Sequence, residues 1–318
     1  MFYIVVIFNH PIMSAVNFTI IIPHYNIPQL LIRCINSIPI RPDIQVIVVD
    51  DCSPDADSYF EQYPEFKRPY LEWYTTPKGG SGGRARNIGL EHAKGKWIIC
   101  IDADDLFVNN MEEILDEALK HEEDIIFFNY HTVFSDNLQI KANRDYYQQF
   151  FKQYKIDHSD ISFRYNFEVI WCKVIKRDLI EKYHIRCDET KYANDLGLSI
   201  KIGYYANSIA VIDKPLFIIT QRNESISSSF FYGKRMNEEE CKTRTYVAMK
   251  CQDFLDRNKA NIEITTFKTF KATLLRDYPS AFFASIIKYV FVFPHASYRL
   301  FKYWFSWKIK AVKSVFNK

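Results

Sequence analysis

The sequence lacks the features that would assign it to several common classes. Its seven cysteines form no Cys-x-x-Cys pair and are odd in number, so neither a disulfide framework nor a zinc site is indicated. We expect reduced, mostly buried thiols, as in a cytosolic protein. The chain contains no internal repeat and no low-complexity run, and 48% of its residues are hydrophobic. It should therefore fold around a full-sized core, as one large domain or two small ones.

Long apolar runs are missing as well. The first twelve residues are apolar, but they lack a basic region and are too short to span a bilayer. We interpret residues 1–16 as a lead that is flexible, weakly interfacial or, if translation starts at Met13, not made at all. A second apolar run at residues 281–294 is interrupted by Lys288 and also falls short of a span. No transmembrane helix is predicted at either end.

Acidic residues are absent after Asp277, while basic residues continue to the end of the chain. The net charge is only +3, so this asymmetry is local and indicates an anionic surface as partner. Aromatic and basic residues alternate over residues 279–318, which predicts one or two amphipathic helices at a membrane interface. The alternatives are a terminal helix packed on the protein and a homodimer interface. Nucleic acid is disfavoured, because the basic residues follow no recognisable binding motif.

The most informative stretch is residues 76–107. A glycine-rich turn and a short helix precede residues 97–101, which are apolar enough for an interior strand. Asp102, Asp104 and Asp105 follow directly, so their carboxylates should emerge together at the carboxyl end of that strand, where open α/β sheets bind ligands. Oxygen donors that repel one another predict a divalent cation, Mg²⁺ or Mn²⁺. The alternative is that these acids cap the helix that follows.

The preceding segments predict a parallel sheet. Residues 18–22 and 44–49 are apolar strands, separated by a helix that begins at Pro28, and a third strand is expected near residues 70–74. Two buried strands joined by a helix form a right-handed βαβ unit. The second strand, like the one at 97–101, ends in acids, Asp50-Asp51. We therefore expect an α/β fold with acidic side chains gathered at one edge of the sheet.

Four glycines, at positions 79, 80, 82 and 83, precede Arg84 and Arg86. Glycine lets backbone approach a ligand closely, and a helix start with nearby arginines favours a phosphate. A flexible surface loop would have the same composition. The spacing does not match Walker A, and a dinucleotide-binding signature would follow the first strand directly, where this chain has Pro-His-Tyr-Asn.

The rest of the chain alternates between helices and strands. Predicted helices occupy residues 110–120, 196–205, 235–257 and 263–276, and predicted strands occupy 125–128, 209–212 and 216–219. Residues 136–165 are polar and aromatic without a clear period. We interpret them as a mobile insert or lid over the site.

In this order and spacing the segments resemble glycosyltransferase family 2, over residues 17–229. The resemblance rests on Pro23-x-Tyr25-Asn26, Asp50-Asp51, Ala85-Arg86-Asn87-x-Gly89, Ile101-Asp102-Ala103-Asp104-Asp105, Trp171-x-Lys173, Asn194-Asp195 and Arg222-x-x-Ser225-Ile226-Ser227. No single piece is decisive, but their combination is specific. The family implies nucleotide-sugar-dependent inverting enzymes with a GT-A-type fold, a Rossmann-like, mostly parallel sheet flanked by helices. Here a helical, aromatic-basic C-terminal region would follow.

The resemblance also assigns site residues. A UDP-sugar would be held by Pro23, Tyr25, Asn26, Asp51, Gly80, Arg86, Asp102, Ala103 and Asp104, with Asp51 accepting from the base. Asp102 and Asp104 would hold Mn²⁺ or Mg²⁺. Contacts with acceptor or phosphate are assigned to Trp171, Lys173, Asn194 and Arg222; for Lys173 and Arg222 an ordinary surface charge is the alternative.

The resemblance makes Asp195 the general base that deprotonates the acceptor hydroxyl. Its alternative role is the N-cap of the following helix. The family usually has Glu-Asp where this chain has Asn194-Asp195, which leaves the base in place and puts the role of its neighbour in doubt.

The resemblance divides the chain into four parts. These are the lead 1–16, a catalytic domain 17–229 with a nucleotide-binding half (17–107) and an acceptor half (108–229), a helical extension 230–278, and a membrane-associating tail 279–318. Polymer-forming members carry Gln-x-x-Arg-Trp and several membrane spans, and this chain has neither, so one sugar per encounter is expected. The resemblance implies a cytoplasmic enzyme attached to the inner face of a bacterial membrane, which extends a lipid-linked oligosaccharide in surface polysaccharide synthesis.

Two other functions compete with this one. A nucleotidyltransferase that makes an activated sugar should carry a basic, glycine-rich signature directly after the first strand, where this chain has Pro23-His24-Tyr25-Asn26. A non-catalytic, membrane-associated nucleotide-binding protein has no need of the acids Asp102, Asp104 and Asp195. The donor sugar, the acceptor and the linkage are not encoded in any motif of the sequence.

Overall fold

The computed structural model describes residues 5–7, 15–222 and 236–316, with side chains over 15–222 and 236–309. The chain divides into two compact units, Met1–Tyr232 and Gly233–Lys318. This division falls near the predicted boundary after residue 229, which itself lies outside the described residues. The predicted helical extension and tail belong to one unit.

The first unit contains a sheet with helices around it. Its strands are β1 (Val5–Ile7), β2 (Phe18–His24), β3 (Ile44–Asp50), β4 (Leu71–Thr75), β5 (Trp97–Cys100), β6 (Leu106–Phe107), β7 (Ile125–Phe134), β8 (Lys173–Lys176) and β9 (Ile209–Gln221). Its α-helices are α1 (Pro28–Asn36), α2 (Ala56–Gln62), α3 (Gly82–His92), α4 (Met111–Ala118), α5 (Gln148–Asp157), α6 (Ile161–Tyr165), α7 (Arg177–Lys182) and α8 (Leu196–Tyr205). The α/β class predicted from the sequence is confirmed.

The described strands form one sheet in the order β1-β4-β3-β2-β5-β8-β7-β9-β6. Strands β4, β3, β2 and β5 are parallel, as predicted. Strand β8 runs antiparallel to both of its neighbours, so the second half of the sheet is mixed. The chain leaves the central strand β2 toward β3 and β4, then returns to its other side at β5. The carboxyl ends of these strands meet at one edge, the usual place for a ligand in such a sheet.

Complete burial of the apolar strands explains this half of the sheet. Every residue of β3 is buried, and in β2 only Pro23 is partly exposed. Helix α1 begins at Pro28, as predicted, and turns Leu31, Cys34 and Ile35 toward the core. Helix α3 begins after Ser81, whose hydroxyl accepts a hydrogen bond from the backbone N–H of Arg84 and so caps the helix.

Two parts of the first unit differ from the sequence prediction. The predicted strands at 209–212 and 216–219 are one strand, β9, whose pairing with β7 shifts register between Phe128 and Tyr130. The predicted mobile insert at 136–165 instead contains α5 and α6. Its aromatic residues Tyr147, Phe151 and Phe163 are buried and pack with Phe127 and Phe167. Tyr147, Phe151 and Tyr154 recur at helical spacing in the sequence, a signal of α5 that the sequence interpretation overlooked.

The lead also differs in part from its prediction. Residues Val5–Ile7 pair antiparallel with β4 at the edge of the sheet. Residues 1–4 and 8–14 of the lead lie outside the described residues. A start at Met13 would remove this edge strand, and the starting position stays a prediction.

The second unit is helical over its described residues. It contains α9 (Glu238–Arg257), α10 (Thr265–Asp277), α11 (Pro279–Tyr289) and α12 (Pro294–Phe316). The side chain of Gln252 on α9 bonds the backbone of Ile262 and Ile264, which fixes the connection to α10. Within the described ranges, no helix is both long and apolar enough to cross a bilayer.

Packing of α3 on β2 depends on Gly89. A Cβ at this position would lie 2.4 Å from Cγ2 of Ile21, a buried core atom. We expect Gly89→Ala to destabilise the protein by about 1–3 kcal/mol, the usual cost of overpacking, despite the higher helix propensity of alanine. Urea unfolding measures this change in free energy. Gly82→Ala on the same helix is the control, because its Cβ would come no closer than 3.3 Å to Nη1 of Arg86 and 3.8 Å to Nδ2 of Asn194. Equal stability of the two variants would contradict the packing argument.

Candidate functional site

Three carboxylates lie together after β5. One ligand atom from each of Asp102, Asp104 and Asp105 falls within 4.8 Å of the others. None of them caps α4, which begins after Asn110. Asp105 is buried and accepts a hydrogen bond from the backbone N–H of Thr220 at 2.6 Å. The alternative that these acids serve as helix caps is therefore wrong.

Arginines contact the two predicted metal ligands. Arg86 donates to Oδ1 of Asp102 at 2.6 Å, and Arg222 donates to Oδ2 of Asp104 at 2.7 Å. Among the described residues, no hydrogen bond reaches the second oxygen of either carboxylate. Those two oxygens are hard ligands of the kind that Mg²⁺ and Mn²⁺ prefer, so the residues present fit such an ion. The role of Arg222 as a surface charge is not supported, since it pairs with a carboxylate of the cluster.

The electrostatics of the cluster also favour a cation. Burial raises the pKa of Asp105 well above its ordinary value, and Asp104 and Asp102 raise it further. Burial and the neighbouring Asp102 likewise raise the pKa of Asp104, although Arg222 opposes them. Carboxyl groups with raised pKa values beside one another are typical of functional sites. Added positive charge would stabilise their ionised forms.

Arg86 connects this cluster to the Asn194-Asp195 pair. Its guanidinium is buried and donates to Oδ1 of Asn194 at 2.7 Å as well as to Asp102. Burial alone would lower the pKa of Arg86, but Asp102 and Asp195 help to raise it above the ordinary value, so the group is a permanent cation. Gly83 permits the close approach: a Cβ there would lie 3.0 Å from that of Asn194 and 2.0 Å from the carbonyl oxygen of Asp188.

Asp195 stands at the start of α8 without capping it. Its side chain makes no N-cap hydrogen bond, and Oδ2 instead accepts from the backbone N–H of Ile170 at 3.3 Å. Ala193, two residues before Asp195, has a positive φ of 54°, a conformation that non-glycine residues rarely adopt. The alternative that Asp195 is a helix cap is thus not supported. Its role as a base stays a prediction, consistent with a partly exposed carboxylate.

Lys173 is fully buried in the first unit. Its ammonium donates to the carbonyl oxygens of Phe167 and Val169 and to the hydroxyl of Ser199. Burial lowers the pKa of Lys173 to about 7, with Asp195 opposing the change. Because Lys173 is buried, the alternative that it is an ordinary surface charge is wrong. The predicted contact with phosphate or acceptor stays a prediction that the geometry does not favour, because the ammonium holds the loop containing Ile170.

Trp171, predicted in the same role, lies in the aromatic cluster. It is 4% exposed and meets Tyr130 and Tyr147 edge to face, with ring centroids 5.1 and 5.6 Å apart. This position favours a wall of the site over a broad contact with an acceptor.

On the nucleotide side, Asp51 holds the glycine turn. Its Oδ1 accepts from the hydroxyl of Thr76 at 2.8 Å, and its Oδ2 accepts from the backbone N–H groups of Gly80 and Ser81 at 2.7 and 2.8 Å. Gly80 has a φ of 112°, which explains why glycine is required there. A carboxylate offers about four acceptor positions, so Asp51 retains one for a donor on a base.

A buried network that the sequence analysis missed supports this edge of the sheet. His24 and Asp50 are paired in register at the ends of β2 and β3, and His24 Nδ1 lies 2.7 Å from Asp50 Oδ1. Ser53 donates to Asp50 through its backbone and its hydroxyl, and its hydroxyl accepts from the N–H of Asn26. The network fixes both loops that would face a nucleotide. Its only signal in the sequence was a polar residue ending each of two apolar strands.

The remaining predicted residues occupy the same edge. Tyr25 is 56% exposed, and Asn26 adopts a left-handed conformation with φ 52°. Ala103, which separates the two predicted metal ligands in the sequence, is buried. Of the predicted Arg222-x-x-Ser225-Ile226-Ser227 loop, only Arg222 belongs to the described residues.

The chain is similar to known glycosyltransferases. The model of the family "Glycosyl transferase family 2" matches residues 19–184. The chain is 25% identical over 219 residues to the uncharacterized glycosyltransferase EpsJ of Bacillus subtilis (strain 168), covering 66% of this chain and 62% of EpsJ. It is 27% identical over 224 residues to poly(ribitol-phosphate) beta-N-acetylglucosaminyltransferase TarS of Staphylococcus aureus (strain MW2), covering 67% of this chain and 37% of TarS. The match thus spans less than two thirds of either relative.

Solved structures share the fold. The S. aureus TarS fragment 1–349 in complex with UDP-GlcNAc aligns with a TM-score of 0.57 at 19% identity, over 84% of this chain and 73% of that one. The mannosyltransferase PcManGT from Pyrobaculum calidifontis, in complex with GDP-Man and Mn²⁺, aligns with a TM-score of 0.53 at 15% identity, over 92% of this chain and 80% of that one. The predicted GT-A-type fold is confirmed. With more than half of its residues matched by the family model, the chain belongs to glycosyltransferase family 2.

Proposed function

We propose that this protein is an inverting glycosyltransferase that moves one sugar from a UDP-sugar to an acceptor hydroxyl. The observation that carries the proposal is the bridge of Arg86 between Asp102 and Asn194, which joins the acidic cluster to the segment containing Asp195. The TarS structure with UDP-GlcNAc supports a UDP-sugar as donor. A sugar-nucleotide nucleotidyltransferase is not favoured, because the loop after β2 carries no glycine or arginine.

The donor would lie across the carboxyl ends of β2, β3 and β5. Asp51 has an acceptor position left for a base N–H, and the exposed ring of Tyr25 could cover one face of that base. Asp102 and Asp104 would hold Mn²⁺ or Mg²⁺ through their free oxygens, and the chemistry supplied there is neutralisation of the diphosphate charge. Arg86 and Arg222 add two fixed positive charges beside these carboxylates.

In the proposed transfer, Asp195 accepts the proton of the acceptor hydroxyl. The acceptor oxygen forms a bond to the anomeric carbon while the bond from that carbon to the UDP oxygen breaks, and the UDP leaves with the electron pair. One displacement inverts the anomeric carbon. The hydrogen bond from the N–H of Ile170 keeps the Asp195 carboxylate oriented, and Lys173 holds the loop that carries this N–H.

Nucleotide binding tests the donor site. We expect UDP with Mn²⁺, at about a hundred times its dissociation constant, to stabilise the protein by about 2.7 kcal/mol, more than GDP, CDP or ADP. For a unit of this size the melting temperature should rise by about 5–10 °C. Asp104→Asn should lose the metal-dependent part of this rise, whereas Asp116→Asn, which changes an exposed carboxylate on α4, should keep it.

Thermal shift assays with each nucleotide, with and without Mn²⁺, measure these changes. Stabilisation by another nucleotide would change the donor class. Failure of all four to stabilise the wild type would reject the transferase proposal. A metal-dependent shift that survives in Asp104→Asn would show that the ion is held elsewhere.

Asp195→Asn tests the general base. We expect turnover to fall at least about a hundredfold, the scale of losing such a group, while the melting temperature and the affinity for UDP stay close to wild type. The measurement is UDP release from the UDP-sugar that stabilises the protein most, with lipid-linked oligosaccharide as acceptor and with water alone. Glu189→Gln is the control, because it changes an exposed carboxylate of the same loop that pairs with Arg84. Intact turnover in Asp195→Asn would remove this residue from the mechanism.

We further propose that the second unit attaches to an anionic membrane surface. On α12, Tyr298, Phe301, Phe305 and Ile309 recur at helical spacing, and each is at least 42% exposed. Phe291, between α11 and α12, is 95% exposed. Among the described residues, Lys302 and Lys308 of this helix make no salt bridge, and no acid follows Asp277 in the sequence, which is the pattern of an interfacial helix. A lipid-linked acceptor in surface polysaccharide synthesis would suit this location.

Sedimentation with vesicles tests this attachment. We expect the wild type to bind vesicles containing phosphatidylglycerol and not those of phosphatidylcholine alone, and Phe301→Ser/Phe305→Ser to lower binding at least about tenfold. Ile156→Ser/Ile161→Ser, which also removes two exposed apolar side chains, should bind as the wild type does. If the first variant keeps its vesicle binding but abolishes a dimer seen in analytical ultracentrifugation, the face is a homodimer interface.

A further inference from the structure

The second unit contains a cavity, open to solvent on one side, that the proposed function does not use. Its volume is about 640 Å³, within the range of small-molecule sites. Side chains of three helices line it: Ala272, Leu275 and Arg276 from α10, Pro279 and Phe283 from α11, and Tyr303, Trp304, Trp307 and Lys308 from α12.

The walls of the cavity are aromatic and aliphatic. Trp304 meets Phe283 edge to face, with ring centroids 5.6 Å apart, so the two helices hold each other at this point. Lys271 lies 5.0 Å above the ring of Tyr303 and pairs with Glu263, which fixes that side chain from outside the cavity. A preformed wall of this kind suits hydrocarbon.

The two charged residues of the lining are both cations. Arg276 is exposed and makes a two-point ion pair with Asp277, with N–O distances of 2.7 and 2.8 Å. Lys308 has no carboxylate partner among the described residues and lies 6.0 Å from the ring of Trp307. The free positive charge of the cavity therefore belongs to Lys308.

The lining has few hydrogen-bond acceptors. A free sugar or a nucleotide base donates hydrogen bonds as well as accepting them, and among the lining side chains only the hydroxyl of Tyr303 could accept one. None of the nine lining residues carries a carboxylate or an amide side chain. The lining therefore favours a ligand with a hydrocarbon part and one anionic head.

We propose that this cavity binds a long-chain lipid phosphate, with the chain against Phe283, Trp304 and Trp307 and the phosphate at Lys308. This differs from attachment by the exposed face, because one lipid molecule enters a defined site. It stands apart from the transfer reaction, since binding requires neither donor nor metal. Two sources share this chemistry, a phospholipid of the bilayer and a lipid carrier of sugars.

Tryptophan quenching by 12-bromododecyl phosphate, below its micelle concentration, tests the site on the full chain. Bromine quenches on contact, and Trp304 and Trp307 line the cavity, whereas Trp73, Trp97 and Trp171 are at most 4% exposed. We expect saturable quenching by the phosphate and at least about tenfold weaker quenching by the neutral 12-bromododecanol. Inorganic phosphate alone should not compete.

Two variants separate the cavity from the exposed face. Lys308→Gln should weaken binding at least about fivefold, whereas Lys302→Gln, the same change on an exposed lysine of α12 outside the lining, should leave it unchanged. Ala272→Phe should fill the cavity and abolish saturable quenching, while Phe301→Ser/Phe305→Ser should keep it. Circular dichroism confirms that each variant is folded. Equal loss in both lysine variants, or saturable quenching that survives Ala272→Phe, would overturn the proposal.

Competition identifies the source. Displacement by farnesyl phosphate and not by dihexanoyl phosphatidylglycerol would support the cavity as a site for a carrier lipid; the reverse would support it as a phospholipid site. Failure of both to displace the probe would overturn the assignment to lipid phosphates.

Discussion

The site depends on one buried cation, Arg86. Its guanidinium holds Asp102 on one side and Asn194 on the other, and so joins the end of a strand to a loop that follows it much later in the chain. Leaving a buried arginine without its carboxylate costs several kcal/mol, so the ion pair strongly favours the arrangement in which the two segments stay together. Everything that the proposed reaction needs, from metal ligands to base, is positioned around this bridge. Gly83 is part of the same constraint, because a side chain there would push the loop away from α3.

The strand order determines where this bridge can form. Because β2 lies between β3 and β5, the turns after all three strands open on one edge, and each brings polar groups to it. The groups divide into two kinds. Asp50 is completely buried and bonds His24 and Ser53 within the fold, whereas Asp102 and Asp104 each keep one oxygen without a hydrogen bond among the described residues. The neighbouring Asp51 leaves the backbone in the other direction, is 7% exposed and holds the glycine turn.

The sequence predicted the strands, the acids at their ends and the family, because apolar strands and charged turns are local patterns. It could not predict which partner each acid finds. Arg222 reaches Asp104 from 118 positions away, and Thr220 reaches Asp105 from 115, through the pairing of β6 with β9. Lys173 is a second example of a side chain whose contacts the sequence could not predict. Its charge suggested a ligand contact, yet tertiary packing surrounds it with carbonyl oxygens and makes it part of the support for the Ile170 loop. The interpretation of residues 136–165 as a mobile insert overlooked the helical spacing of Tyr147, Phe151 and Tyr154 in the sequence. Their packing on Phe163 and Phe167 is tertiary and has no local signal.

The charges of the acidic cluster determine which ligands the site favours. With Asp102, Asp104 and Asp105 within 4.8 Å, burial and mutual repulsion raise the pKa of two of them, and two arginines compensate only part of this. The folded unit therefore bears an electrostatic cost at this edge that a cation would relieve, and natural proteins retain such costs mainly where they serve function. A diphosphate would add negative charge to the same place and could not be accommodated by the arginines alone, since both are already engaged with carboxylates. Donor and cation are thus expected to bind with positive coupling, because each supplies the charge that the other needs.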